Sequence, residues 1–250
     1  MKVCWISAGV SSFIAALLSK PDRVIYIDID DQHPDSMRFV KDCEKALGKE
    51  IEILKSPYGS VDNACRAFSF IASAYGAKCT DVLKKRVRKE WEARQTEPLT
   101  YVWGFDCTET GRAERLIDAM PNFEHEFPLI DRNLEKKEAH AICENAEVKR
   151  PIMYDLGYSN NNCIGCVKGG MGYWNKIRID FPDVFESRAK LERLIGHSCI
   201  KGVFLDELGP ERGRISEEIL PECGMFCMMA QADVENMQGG AQPNVRHTNN

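Results

Sequence analysis

A chain of 250 residues, 44% hydrophobic and 28% charged, can bury one large core or two modest ones, which excludes disorder as its overall state. Its net charge of −5 gives no global electrostatic case for a nucleic-acid or acidic-membrane partner, although a local basic face stays open. Eleven cysteines, an odd number in so long a chain, fit reduced thiols plus a metal or redox site better than a disulfide framework. No apolar run reaches the roughly 18 residues of a membrane span and no signal-type segment opens the sequence, so the expected location is the cytoplasm.

The chain opens on an apolar, β-prone run, Val3-Cys4-Trp5-Ile6, which breaks at Ser7-Ala8-Gly9-Val10-Ser11-Ser12 and resumes as Phe13-Ile14-Ala15-Ala16-Leu17-Leu18. That order predicts strand, tight loop and helix. A helix start presents unpaired N–H groups and the positive end of its dipole, and a loop of small residues lets an anion come close. The segment is therefore a candidate phosphate cradle, with a plain Ser-rich N-cap as the alternative. Arg23 to Asp28 reads as a second buried strand ending in an acid. Pro34 opens a helix through Leu47 with Gly48 as its cap, and Ile51 to Leu54 is a third strand. Short apolar strands alternating with helices predict a doubly wound α/β fold on a parallel sheet, with ligands at the carboxyl ends of the strands.

Ser60 is expected to start a helix running to Ala74, and Thr80 to cap the next one. That second helix carries Lys84, Lys85, Arg86, Arg88, Lys89 and Arg94, either a solvated face or a polyphosphate or nucleic-acid contact. Leu99 to Phe105 is a fourth strand, followed by a loop with Asp106, Thr108, Glu109 and Arg112, where Arg112 could clamp phosphate or sulfate oxygens. Phe123 to Leu129 reads as a further strand, and Leu134 to Asn145 and Pro182 to Ile195 as helices. Cys4, Cys43, Cys65, Cys107 and Cys143 read as small buried apolar residues. Cys163-Ile164-Gly165-Cys166 has metal-ligand spacing, and Cys223 and Cys227 would supply the other half of one site. Three units are expected: a nucleotide-binding α/β domain over 1–150, a cysteine-containing metal-binding extension over 151–235, and a disordered tail over 236–250.

In this order the segments resemble the phosphoadenosine phosphosulfate (PAPS) reductase-like family of the adenine nucleotide α-hydrolase, or PP-loop, superfamily. Ser7 to Ser12 is similar to its Ser-Gly-Gly-x-Asp-Ser loop, with Ala8 in place of a glycine and Ser11 in place of the aspartate. Tyr26-Ile27-Asp28 with His33 to Ser36, Cys79-Thr80-x3-Lys84, Gly104 with Glu109-Thr110-x-Arg112, and Tyr154-Asp155-x-Gly157-Tyr158-x4-Cys163-Ile164-Gly165-Cys166 resemble its later motifs. The resemblance implies a Rossmann-like sheet binding an adenine nucleotide, either ATP or PAPS or adenylylsulfate, with Mg²⁺ as an accompanying ion. Ser7, Gly9, Ser11 and Ser12 would hold phosphate or sulfate, Asp28 would lie near the adenosine, and Glu109 and Arg112 would stand at the anionic end. Cys163, Cys166, Cys223 and Cys227 would ligate a [4Fe–4S] cluster or, alternatively, zinc.

Two chemistries follow from the resemblance. A sulfur-transfer enzyme would adenylate a substrate and deliver sulfur from a cysteine such as Cys79 or from the cluster, the acceptor being tRNA, DNA or a small molecule. A PAPS or adenylylsulfate reductase would attack sulfate sulfur with Cys223, since Glu222-Cys223-Gly224 resembles the reductases' C-terminal element. A nucleotide-binding protein without catalysis is the third reading. No membrane partner is expected, and a homodimer is left open.

Overall fold

The computed structural model describes residues 1–73 and 76–214. The main sheet is parallel, its five strands in the order β3-β2-β1-β6-β7: β1 Lys2–Ile6, β2 Arg23–Asp28, β3 Ile51–Lys55, β6 Thr100–Val102 and β7 Glu124–Glu126. A separate antiparallel pair, β4 Ala72–Ser73 and β5 Gly76–Ala77, lies between them in sequence. Helices α1 Val10–Ser19, α2 Asp35–Leu47 and α3 Val61–Phe68 follow the first three strands. Next come α4 Lys78–Thr80, a π-helical stretch Asp81–Lys85, α5 Arg86–Glu92, α6 Thr110–Ala119, α7 Pro128–Asp131 and α8 Lys136–Asn145. The remainder holds α9 Ile152–Asp155, α10 Met171–Asp180 and α11 Pro182–Ile195. No helix among the described residues is long and apolar enough to cross a membrane.

Strand side chains alternate between faces, and here both faces are apolar. Cys4, Ile6, Val24, Tyr26 and Val102 join Phe13, Ile14, Phe39 and Leu129 in one core. Val3, Ile25, Tyr101 and Trp103 join Trp91, Ala113 and Leu116 in another. The central strands β2, β1 and β6 carry apolar residues on both faces and read as runs rather than as alternating patterns, whereas edge strands β3, with Ile53 exposed, and β7, Glu124-His125-Glu126, do not.

Several expected elements differ. The helix capped by Ser60, whose side chain accepts from Asn63 N, ends at Phe68. Ser69 turns left-handed at φ 47°, and the N–H of Phe70 bonds back to Cys65 O, a closure that ends a helix and sends Ile71 into the core. Thr80 is not a cap: it lies inside a helical run that begins at Lys78 after the extended Ala77. Within that run Ser56 Oγ donates to Val82 O, beside the widened π turn. The strand expected over Leu99 to Phe105 is regular only at Thr100–Val102, although Trp103 N still bonds to Glu126 O. The next stops at Glu126, where Pro128 opens α7. The basic segment is not a uniformly solvated face. Lys85 and Arg88 are buried, Arg88 Nη1 lies 3.2 Å from Glu92 Oε1, and Asp81 takes both Lys78 and Arg86.

The chain after residue 150 has a core of its own, around Trp174, Tyr173, Ile177 and Leu205. It also shares one with the first half, where Cys163, Val167 and Leu191 pack with Ile29, Val61, Cys79 and Leu83. Buried polar contacts fasten the two halves. Arg188 Nη2 lies 2.9 Å from Asp31 Oδ1, while Asp31 also accepts the N–H of Val61 and, through its carbonyl, that of Ile164.

The other fastening is Asp35, which accepts from Arg38 and from Ile152 N while Arg38 donates to the carbonyls of Lys149 and Arg150. The Arg38 hydrogen bonds hold the Asp35 carboxyl below its usual value. A carboxyl so lowered stabilises the fold fully above the unfolded carboxylate range and loses that contribution as pH falls through the folded value. Asp35→Asn is expected to cost about 1.5–3 kcal/mol near pH 7, with the gap to wild type narrowing below about pH 4; urea unfolding across that range checks it.

Candidate functional site

The sheet reverses direction of growth at β1, which pairs with β2 on one side and with β6 on the other. In parallel sheets ligands bind beyond the carboxyl ends of the strands at such a point, because the following connections leave to opposite faces. The loop after β1 and the loop after β6 both end there.

The first of these is tightly made. Ala8 is fully buried with φ 56°, a left-handed conformation that costs a residue with a Cβ about 1–2 kcal/mol. Gly9 is the N-cap of α1 in extended conformation, without a side-chain cap hydrogen bond and without an acid in the first turn. The positive end of α1 is thus not neutralised by its own side chains. Val10 N donates to Tyr154 Oη at 3.4 Å. Ser12 Oγ donates to Gly9 O at 2.9 Å, accepts from Ser7 N at 3.1 Å and lies 3.4 Å from Ser7 Oγ. Of the four expected phosphate holders, Ser12 therefore acts as a brace for the turn. Ser7 is half-buried, while Gly9, Ser11 and Ser12 are buried.

The second loop closes over the first. A methyl group at Gly104 would lie 2.6 Å from both Cα and N of Ser12. Asp106 and Glu109 then form a reciprocal capping box, Asp106 Oδ1 accepting from Thr108 N and Glu109 Oε2 from Asp106 N. Glu109 also binds Arg112, whose guanidinium lies 4.4 Å from the Phe105 ring centroid. Arg112 is 4% exposed; in this arrangement its charge is matched by Glu109 inside the protein. Asp28 stands at the end of β2 opposite Lys55 in register, 3.5 Å from the Lys55 ammonium, which also meets Asp30 at 2.6 Å. Asp28 ends β2 and Glu109 and Arg112 follow β6, so they stand on opposite sides of β1.

The cysteine turn is built against the same region. Gly165 at φ 66° makes the bend between Cys163 and Cys166. The Tyr173 hydroxyl accepts from Cys166 N at 2.9 Å and donates to Cys163 O at 3.3 Å; burial raises its pKa, so the hydroxyl keeps the proton it donates. Both cysteines are buried, and no group of three or more His, Cys, Asp or Glu able to hold a metal occurs among the described residues. Two thiols alone do not complete a zinc or cluster site. Cys223 and Cys227, the expected partners, lie outside the described residues, as do Glu222 and the segment 236–250. Cys79 is buried in the core that also holds Cys163 and Cys65. Burial pushes the Cys65 and Cys143 thiols up to about 11 and Cys4 to about 12, so they stay protonated at neutral pH and serve as core residues.

Two residues that the sequence did not mark out as site residues touch the first loop. Asn161 donates through Nδ2 to Ala8 O at 2.7 Å and to Ser36 Oγ at 3.0 Å, and Tyr154 meets Val10. Their signal was their position, since both lie within the motif that ends in the cysteine turn.

No protein-family model and no curated protein matches this chain. Among solved structures it is similar to phosphoadenylyl-sulfate (PAPS) reductase from Candida auris in a phosphate complex, with 14% identity and a TM-score of 0.46, over 65% of this chain and 80% of that one. The loop residues themselves, rather than this likeness, carry the functional argument.

The contact at Gly104 gives a direct test of the two-loop closure. Gly104→Ala is expected to destabilise by about 1–3 kcal/mol because backbone must shift. Gly111→Ala, where the added methyl meets only the Arg115 side chain at 3.7 Å inside α6, should be neutral or stabilising by up to ~1 kcal/mol. Denaturant unfolding of the two variants decides between this asymmetry and a uniform effect.

Proposed function

We propose that this chain is an adenine-nucleotide-dependent enzyme of the PAPS reductase-like class, and that it transfers sulfur to an acceptor activated by adenylation. The supporting observation is the start of α1. It lies at the switch point of a parallel sheet, is approached by a loop of small residues, and carries no capping carboxylate to compete with a phosphate. N–H groups there would bind the phosphates or sulfate, with Ser7 and Ser11 adding hydroxyls and Ser12 keeping the turn in shape. Asp28 would face the nucleoside side of the site. Arg112 would reach the anionic end by exchanging part of its contact with Glu109 for the ligand, and Mg²⁺ would accompany the nucleotide.

Adenylation turns a poor leaving oxygen into a good one, and the outer sulfur of a cysteine persulfide, charged beforehand by a persulfide donor, can then displace AMP. The acceptor's C–O bond breaks as the C–S bond forms, and a second thiol attacks the cysteine-side sulfur, releasing the thiolated acceptor and leaving a cysteine disulfide for a thiol reductant to reset. Cys79, or a cysteine beyond the described residues, would carry that persulfide. Cys163, Cys166, Cys223 and Cys227 would hold a [4Fe–4S] cluster or a zinc ion, which when bound would supply sulfur or a structural clamp. A reductase working through Cys223 is the second reading. The Glu222-Cys223-Gly224 sequence is what favours it, and its substrate would be a sulfonucleotide rather than ATP.

Calorimetric titration with ATP, PAPS and adenylylsulfate tests the class. Binding of ATP with release of pyrophosphate or AMP supports transfer, binding of a sulfonucleotide alone supports the reductase, and binding of none removes the nucleotide assignment. Ser12→Ala should weaken the bound nucleotide about tenfold, as expected for one lost hydrogen bond in the loop. Protein purified without oxygen is expected to hold iron and acid-labile sulfide at about four each per chain, and Cys163→Ala to lower both; zinc without sulfide would make the cysteine site structural.

A further inference from the structure

We propose that Asn161 is the positioning residue of the Ser7–Ser12 loop, holding Ala8 in its left-handed conformation and so fixing how the loop enters α1; the part of this that concerns binding rests on the nucleotide assignment above.

Three observations converge on it. Ala8 is the residue whose backbone is strained, with φ 56° and no exposure. A residue with a Cβ persists in that conformation where its surroundings fix it; Ser69 is fixed by a local helix closure, whereas Ala8 lies before a helix rather than after one. The group bonded to its carbonyl is the Asn161 amide, at 2.7 Å and from 153 residues away. The second amide hydrogen goes to Ser36 Oγ, which anchors the side chain to the start of α2 and sets the angle at which it meets Ala8. Asn161 is 5% exposed, and its Oδ1 meets no hydrogen-bond donor among the described residues. The carboxamide is thus employed for its two N–H groups, with its acceptor set unpartnered beside the loop, an arrangement that burial penalises unless the donors are needed.

Asn161 also stands two residues before Cys163, whose neighbour Ile164 donates to Asp31 O. The loop at one end of the chain is therefore shaped by the segment that carries the cysteine turn. A glycine at position 8 would not need this restraint, because glycine adopts positive φ without a Cβ clash. That difference makes the proposal testable by rescue.

The experiment compares amide hydrogen exchange, without ligand, in the full chain, in Asn161→Ala, and in Asn161→Ala combined with Ala8→Gly. The expected result is exchange about tenfold faster at residues 8–12 in Asn161→Ala, with the sheet amides unchanged, and substantial recovery in the double variant. Unchanged exchange at 8–12 overturns the proposal; so does acceleration spread over the whole sheet, which a merely structural residue would give, and so does a double variant no better than the single one. Should Asn161→Ala fail to fold, Asn161→Ser, which also loses both amide donors, is read by the same criteria. Titration with pyrophosphate and ATP adds the functional arm: affinity about tenfold lower in Asn161→Ala and regained in the double variant. A wild-type chain that binds neither anion defeats the nucleotide assignment while the exchange data still judge Asn161.

Discussion

The fold turns on the contact between the backbone of Gly104 and the first turn of α1. Strands β1 and β6 are neighbours, so the loops leaving them must share one small volume at the sheet edge. The clash that a methyl at Gly104 would make with Ser12 shows how completely that volume is filled. Because the space is filled by main chain, the two loops cannot shift independently, and the start of α1 keeps a fixed position relative to both strands. A helix start held so firmly keeps its dipole in one orientation relative to both strands.

Much of this was legible beforehand. Arg23 to Asp28 and Pro182 to Ile195 are observed with the expected bounds, since a dry parallel strand and an amphipathic helix with Pro at its first turn and Gly at its end are strong local signals. The errors share a cause in tertiary contact. The helix expected to reach Ala74 stops at Phe68 because Ile71 is pulled into the core. Thr80 has a capping side chain but lies within a helix already begun at Lys78. Lys85 and Arg88 belong to a basic run that in sequence reads as a solvated face or a polyphosphate or nucleic-acid contact; Arg88 is instead buried among Glu92, Tyr101 and Met120.

The strand, loop and helix of the candidate site were legible, and the contacts that brace the loop were not. Ser7 to Ser12 announces itself through small residues between a strand and a helix. Nothing in the local sequence says that Ala8 takes positive φ, since alanine ordinarily avoids it, or that its restraint comes from an asparagine in the cysteine-bearing segment. Likewise Arg112 reads as a free cation at a helix start, whereas the structure buries it between Phe105 and Glu109. Long-range pairings of this kind leave no periodic trace, because they depend on which strand ends the topology brings together.

The Asp31–Arg188 pair bears on modularity. Residue 150 looks like a seam, yet a polypeptide ending there would leave the partly buried Asp31 carboxylate without the Arg188 guanidinium 2.9 Å away. It would also strip Cys163, Val167 and Leu191 from the core they share with α3. The first half would then be a fragment with an open apolar flank and an orphaned charge. The two halves therefore share one packed interior.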